Sequence, residues 1–215
     1  MTFGPDHLKL AVLMQITGSK RIQISGKSQL LKVSENPPIT WPEDKCIRDF
    51  SGFWWVAHTR SRNEKALAQD LIRRHISYFL PMTWRVRRRK GRTMRSLLPL
   101  FTGYLFFCGE ENERLELLRT NRVANLIEVK DQTRLQTELS QIEKALRAGA
   151  PLTPHKYLKA GQLCRVIGGP LAELHGIVVT TKTATRLLLQ VDILGRATSV
   201  EIDADMIEPI EETAQ

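Results

Sequence analysis

The sequence predicts an α+β fold, in which an antiparallel sheet flanked by helices is followed by a small antiparallel five-stranded β-barrel. Between residues 53 and 148, strand-like and helix-like patterns follow in the order strand, helix, hairpin, strand, helix, strand, helix. Residues 161–210 instead hold short runs rich in Val, Ile, Leu and Thr, separated by Gly and Pro. Strands this short must close on one another to bury a core, which favours a barrel.

The first strand and helix follow from residues 53–75. Residues 53–59 (FWWVAHT) are aromatic and β-branched without clean alternation, as expected of a strand that is buried on both faces. Ser61 and Glu64 fit a capping box, in which two side chains satisfy free N–H groups at a helix start. The helix would then bury one apolar face, formed by Ala68, Leu71, Ile72 and His75.

A hairpin with a basic tip follows, with strands at 78–86 and 93–98. Seven cations fall within eleven residues: Arg85, Arg87, Arg88, Arg89, Lys90, Arg92 and Arg95. A loop so densely charged repels itself, and a polyanion would relieve that repulsion. We therefore expect contact with a nucleic-acid backbone; the alternative is a solvated loop without a binding role.

The rest of the first domain supplies its remaining core. Residues 98–107 are the most apolar stretch of the chain, and residues 111–120 predict a helix with Leu115 and Leu118 inward. A strand at 123–129 precedes a helix at 132–148 that Asp131 caps and Gly149 ends. Its inward stripe is Leu135, Leu139, Ile142 and Leu146.

The expected organisation is an N-terminal extension (1–50), a first domain (51–149), a linker (150–160) and the barrel domain (161–212). The extension contains strand-like runs at 8–16 and 21–31 but also Pro-rich breaks, so we expect it to be loosely packed. The linker, APLTPHKYLKA, has two prolines and little pattern. The barrel strands are expected at 163–167, 177–181, 186–193 and 197–202.

Charge divides the chain in the same way. Residues 161–215 carry four cations and eight carboxylates, a net charge of −4. The whole chain has a net charge of +9, so residues 1–160 have a net charge of +13. The basic part is suited to polyanions, whereas the acidic part favours a protein partner.

Other classes of function find no support in the sequence. Cys46, Cys108 and Cys164 are widely spaced and lack metal-ligand spacing, which indicates reduced thiols in a cytoplasmic protein. No apolar run approaches the roughly 20 residues of a membrane helix. No nucleophile–base pair, paired carboxylates or phosphate loop stands out, so we expect no enzyme, no catalytic residue, no metal and no cofactor.

Two sets of residues resemble the NusG family of transcription factors. Gly161, Gly169, Pro170 and Gly176 follow the KOW pattern of its C-terminal domain, and ILGRATSVEI is closer still to the NusG barrel. Phe101, Gly103 and Tyr104 match the segment that precedes the central strand of its N-terminal domain, although Thr102 stands where Pro is common. The resemblance covers roughly residues 53–210 and includes both domains in order.

The resemblance implies a non-enzymatic, monomeric transcription factor that binds the clamp helices and gate loop of RNA polymerase and modulates pausing, termination or antitermination. The polymerase-binding residues it implies are Phe101, Gly103, Tyr104, Arg119 and Thr120, and we expect Phe101 and Tyr104 at the surface. The hairpin would contact DNA near the polymerase, and the KOW domain would recruit Rho, NusE or a ribosome.

Two alternatives concern the kind of factor. The segment FWWVAHTRSRNEKALAQDL resembles specialised, RfaH-like members of the family more than the general factor. The runner-up function is a KOW-containing ribosome-associated or RNA-binding structural protein, which the acidic C-terminal domain disfavours.

Overall fold

A computed structural model of the chain describes residues 36–89, 92–156, 161–181 and 184–210. The strands expected at 8–16 and 21–31, and the loose packing expected of residues 1–35, lie outside the described residues. Residues 36–50, which we assigned to the same extension, are packed: strand β1 (Thr40–Trp41) pairs with the first sheet, and Ile47 and Phe50 are buried. Within the described part of the chain, none of the helices has the length and apolarity that a bilayer crossing requires.

The first sheet is antiparallel and five-stranded, in the order β1-β3-β6-β2-β7. Its other strands are β2 (Phe53–Thr59), β3 (Ser77–Phe79), β6 (Tyr104–Gly109) and β7 (Val123–Glu128). Alternation along β2 sends Trp54 and Val56 into one apolar cluster and Ala57 into another, so this strand is buried on both faces as predicted.

Three helices of the described chain cover this sheet. Helices α1 (Glu64–Arg73) and α2 (Glu111–Arg119) contribute Leu71 and Leu117 to one of the two clusters. Helix α3 (Gln132–Arg147) contributes its stripe of Leu135, Leu139 and Ile142 to the other. Asp131 accepts a hydrogen bond from the backbone N–H of Arg134, which confirms the predicted cap.

Helices α1 and α2 differ in detail from the prediction. The capping box from Ser61 is wrong: α1 begins at Glu64, because Arg62 adopts a left-handed backbone (φ 59°) that separates Ser61 from the helix. His75 lies beyond the end of α1 and is exposed. In α2 it is Leu117 that turns inward, whereas Leu115 and Leu118 are each 43% exposed.

The basic hairpin consists of β4 (Met82–Arg89) and β5 (Arg92–Pro99), paired from Met82–Pro99 to Arg89–Arg92. The single strand predicted at 78–86 is divided into β3 and β4 at Leu80-Pro81. Proline lacks the N–H that a continuing ladder would require, and this is the physical reason for the break.

The C-terminal sheet is antiparallel and six-stranded, in the order β13-β9-β10-β11-β12-β8. Its strands are β8 (Thr153–Lys156), β9 (Leu163–Val166), β10 (His175–Thr180), β11 (Thr185–Val191), β12 (Arg196–Ile202) and β13 (Ile207–Pro209). Strand β8 comes from the expected linker, where Thr153–Lys156 pairs with β12, so there are six strands rather than five. The α+β class is confirmed, and closure of this sheet into a barrel stays a prediction.

Helix α3 joins the two sheets. Leu139 and Ile142 of α3 share one buried cluster with Leu187 and Leu189 of β11. The apolar core therefore runs without interruption from the first sheet through α3 to the C-terminal sheet.

Candidate functional site

The turn into β6 and the first residue of that strand include three of the predicted polymerase-binding residues, Phe101, Gly103 and Tyr104. The three differ in how far they are buried. Phe101 is only 2% exposed and meets Phe106 edge to face, with ring centroids 6.2 Å apart. The expectation that Phe101 lies at the surface is therefore wrong. The backbone N–H of Tyr104 bonds to the carbonyl of Phe101, and this tight turn directs the Phe101 ring into the core.

Gly103 is held by a buried carboxylate. Its N–H donates to Oε1 of Glu64 at 2.7 Å, and Glu64 is 5% exposed. On the other side, the carbonyl of Gly103 accepts from the N–H of Thr59 at 2.8 Å. Gly103 has φ 86°, which a residue with a side chain rarely adopts. The sequence pattern predicts only a capping role for Glu64, because the partner of its carboxylate lies 39 positions further along the chain.

Tyr104 is the one member of the predicted aromatic pair that reaches the surface. It is half-buried, and its ring stacks on that of exposed His58 with centroids 5.0 Å apart. The guanidinium of Arg196, from strand β12 of the C-terminal sheet, lies over the same ring at 5.5 Å from the centroid. The C-terminal sheet thus covers part of the predicted polymerase-binding surface.

Arg119 and Thr120 lie at the C-terminal end of α2. Arg119 is exposed and pairs with Glu116, while the hydroxyl of Thr120 donates to the carbonyl of Leu117 at 2.7 Å. The N–H of Arg60, just after β2, donates to the carbonyl of Arg122 at 2.8 Å. Strand β2 lies between β6 and β7, so the Gly103 turn and the α2–β7 turn flank the same strand end. The structure therefore brings these two predicted groups to the same end of the sheet, at the C-terminal end of β2.

The hairpin register distributes the basic residues over two faces. Arg95 pairs with Val86 and Arg88 pairs with Thr93, on the same face as Trp84, which pairs with Leu97. Arg85, one position away from Trp84, belongs to the opposite face. Arg85, Arg88 and Arg95 are exposed. Lys90 lies outside the described residues, as do the side chains of Arg87, Arg89 and Arg92.

The KOW residues occupy turns and close backbone contacts. Gly169 has φ 74°, and Pro170 follows it as an exposed turn residue. A Cβ on Gly176 would lie 2.2 Å from the carbonyl oxygen of Leu188, and one on Gly161 would lie 2.3 Å from Cγ2 of Ile177. These four positions shape the sheet, in agreement with a structural role for the motif.

A polar contact between α3 and the C-terminal sheet was not anticipated. Arg134 pairs with Asp192, and the N–H of Asp192 donates to Oε2 of Glu138 at 3.3 Å. Further along the helix, the N–H of His175 donates to Oε1 of Gln141 at 2.5 Å, and Lys144 donates to the carbonyl of Ala172. These partners are 28 to 58 positions apart, so no local pattern reveals them.

Burial raises the pKa of Glu138 in this contact to about 7, although Arg134 acts in the opposite direction. Burial also raises the pKa of the Cys108 thiol to about 12, which keeps it protonated and unreactive. In the described ranges, no cluster of three or more His, Cys, Asp or Glu side chains has the arrangement needed to bind a metal ion.

Comparison with known proteins adds an independent line of argument. A family model described as transcription termination factor nusG matches residues 52–145. A protein named transcription termination/antitermination protein NusG from Vibrio cholerae is 30% identical over 178 residues, which span 74% of this chain and 96% of that protein. The protein of the same name from Pseudomonas aeruginosa is 27% identical over 173 residues, covering 73% and 98%.

A solved structure was also matched, the crystal structure of an MjSpt4:Spt5 complex. It is 15% identical and covers 75% of this chain and 99% of its own, with a TM-score of 0.24. A score this low carries no argument about the fold or its function.

Proposed function

This chain belongs to the NusG family of transcription termination and antitermination factors, and from that premise we propose that it binds RNA polymerase through the surface at the C-terminal end of β2. One observation carries the proposal: the turn of Gly103 and Tyr104 and the turn after α2 flank the same strand end. Tyr104 supplies a rigid aromatic anchor there, and Arg119 and Thr120 supply polar contacts at its side.

The proposed surface has two parts, one for each element of the polymerase. The clamp helices meet the surface around Tyr104, and the gate loop meets the end of α2 at Arg119 and Thr120. Phe101 supports the turn from beneath without touching the partner. Bound in this way, the protein modulates pausing, termination or antitermination without catalysing a reaction.

The two remaining surfaces complete the function. The hairpin contacts the backbone of DNA close to the polymerase, which its exposed Arg85, Arg88 and Arg95 support. The C-terminal domain recruits a second protein: Rho, NusE or the ribosome. Its net negative charge supports a protein partner there, as do the exposed side chains of Ile167 (52%) and Met206 (43%), two residues joined by a backbone hydrogen bond. We place the protein in the cytoplasm, as a monomer without a cofactor.

Substitution of Tyr104 tests the polymerase surface. Tyr104→Ala in the full chain should weaken binding to core RNA polymerase by about tenfold or more, as expected when an interface aromatic is truncated. Phe53→Ala is the matched control, because Phe53 is 56% exposed at the opposite end of β2. Binding is measured by biolayer interferometry with immobilised polymerase. Equal affinities of the wild type and Tyr104→Ala, or an equal loss in both variants, would refute this surface assignment.

A further inference from the structure

The hairpin carries an exposed aromatic and aliphatic surface that phosphate contact alone does not require. On one face, Trp84 is 51% exposed and Val86 is 57% exposed, and half-buried Leu97 pairs with Trp84. Arg88 and Arg95 belong to the same face by register. We call these five residues the Trp84 face.

The charge of this face indicates an anionic partner. Residues 82–99 contain no Asp or Glu, so neither hairpin strand offers a carboxylate to its arginines. Arg95 pairs with Val86 and is thus the diagonal neighbour of Trp84, at a Cα distance of about 7–8 Å. Arg88 is four positions beyond Trp84 on the same strand, about 13 Å away. Both arginines therefore lie on the tip side of the exposed indole, one on each strand of the hairpin.

An exposed indole next to two cations can discriminate between single-stranded and double-stranded nucleic acid. In a duplex the bases are stacked on one another, and a protein reaches mainly phosphates and base edges. In a single strand the base faces are free, and an aromatic side chain in a basic groove stacks on them regardless of sequence. The half-exposed Trp84 ring matches the second case.

We propose that the Trp84 face binds single-stranded nucleic acid, with Trp84 stacking on an unpaired base and Arg88 and Arg95 contacting phosphates of the same strand toward the hairpin tip. This inference deepens the proposed function and rests on it for the place where such a strand is met, next to a transcribing polymerase. The binding itself needs no polymerase, so the two proposals fail separately.

The test uses the full chain and fluorescein-labelled oligonucleotides without polymerase. Fluorescence anisotropy measures binding of a 12-nucleotide oligo-dT strand and of a 12-base-pair duplex at the same salt concentration. The wild type should prefer the single strand, and Trp84→Ala should weaken single-strand binding by about tenfold while leaving duplex binding unchanged. Trp84→Phe should restore most of the loss, because a phenyl ring still stacks.

Two further variants separate stacking from charge. Met94→Ala is the matched control: Met94 is 43% exposed on the same hairpin but belongs to the opposite face, where it pairs with Arg87. This variant should bind both probes like the wild type. The double variant Arg88→Ala, Arg95→Ala should lower the slope of log affinity against log salt by about 1.4 for the single strand.

Two outcomes would overturn the proposal. One is a wild type that binds the duplex as tightly as the single strand, and the other is Trp84→Ala with unchanged single-strand binding. If the second outcome is accompanied by a loss of polymerase affinity in Trp84→Ala, the face is a protein contact instead.

Discussion

Gly176 shows most clearly how a single residue is fixed by the approach of two backbones. A Cβ at this position would lie 2.2 Å from the carbonyl oxygen of Leu188 and 3.0 Å from its carbonyl carbon. Because both atoms are backbone atoms of the neighbouring strand, a side chain can be admitted only if β10 and β11 move apart. Gly169 is a glycine for another reason: its φ of 74° is left-handed, while nothing lies within 4 Å of a Cβ built there.

Alanine substitutions at these two glycines should therefore differ. Gly176→Ala should lower the free energy of unfolding by about 3 kcal/mol, the upper part of the usual cost of overpacking. Gly169→Ala should lower it by about 1 kcal/mol, the cost of a left-handed alanine. Urea denaturation of the full chain measures both. Equal losses would mean that the strands separate freely at Gly176.

Residue type alone does not determine which of the two aromatic residues Phe101 and Tyr104 is exposed to solvent. Phe101 and Tyr104 stand in the same segment, and both suit an interface by chemistry. Their exposure is set by the turn between β5 and β6, in which the N–H of Tyr104 bonds to the carbonyl of Phe101. Turn geometry of this kind is not encoded in periodicity, so the sequence could not separate the two roles.

At the scale of elements, periodic patterns predicted the long segments well and the short ones less well. Helix α3, with its Asp131 cap and inward stripe, and strand β2 appear as expected, because each has several residues that agree on one orientation. Helix α2 has few apolar residues, so its pattern defines the inward face poorly. We predicted Leu115 and Leu118 on that face, whereas the buried residue is Leu117. Strand β8 contains Pro154 and is an edge strand, where a proline is tolerated but gives no strand signal.

Helix α3 also makes stability depend on pH through Glu138. Its folded pKa is about 7, raised chiefly by burial, against an ordinary value of 4.5. The folded state therefore holds this proton more tightly than the unfolded state does. The resulting stabilisation is fully present below pH 4.5 and is lost as the pH rises through 7.

Glu138→Gln should remove this part of the pH dependence, because glutamine stays neutral and still offers an oxygen to the N–H of Asp192. Urea unfolding of the full chain between pH 5 and pH 8 should show a shallower decline than in the wild type, with the variant the more stable of the two at pH 8. Glu201→Gln is the control, since the Glu201 side chain is 64% exposed. Parallel profiles for the wild type and Glu138→Gln would show that Glu138 does not titrate in this range.

At the scale of the whole molecule, the arrangement of the two sheets is what sequence analysis could not supply. Pattern and charge divided the chain into a basic first part and an acidic second part, and the family model matches residues 52–145 of the first. The contact between them, however, depends on polar side chains of α3 that bind the backbone of residues 172–192. Polar and charged residues of the same types also occur on solvent-exposed helix faces. The sequence therefore does not show that Glu138, Gln141 and Lys144 contact another part of the chain.

This contact has a consequence for binding, because the docked sheet places Arg196 over Tyr104. A partner that needs the Tyr104 ring must displace Arg196, so release of the sheet should favour polymerase binding through a shift of population. The double variant Gln141→Ala, Lys144→Ala removes two hydrogen bonds that hold residues 172–175 against α3. We expect faster hydrogen exchange at the amide of His175 and an affinity for core polymerase several-fold higher than that of the wild type.

Two further variants make this prediction specific. Thr137→Ala changes an exposed side chain of the same helix whose hydroxyl bonds only within the helix in the described contacts, to the carbonyl of Thr133, and should change neither measurement. Adding Tyr104→Ala to the double variant should abolish the gain in affinity, because the uncovered ring is then missing. Faster exchange at His175 with unchanged polymerase affinity would show that the sheet and the polymerase do not compete for Tyr104, and that the docked arrangement serves stability alone.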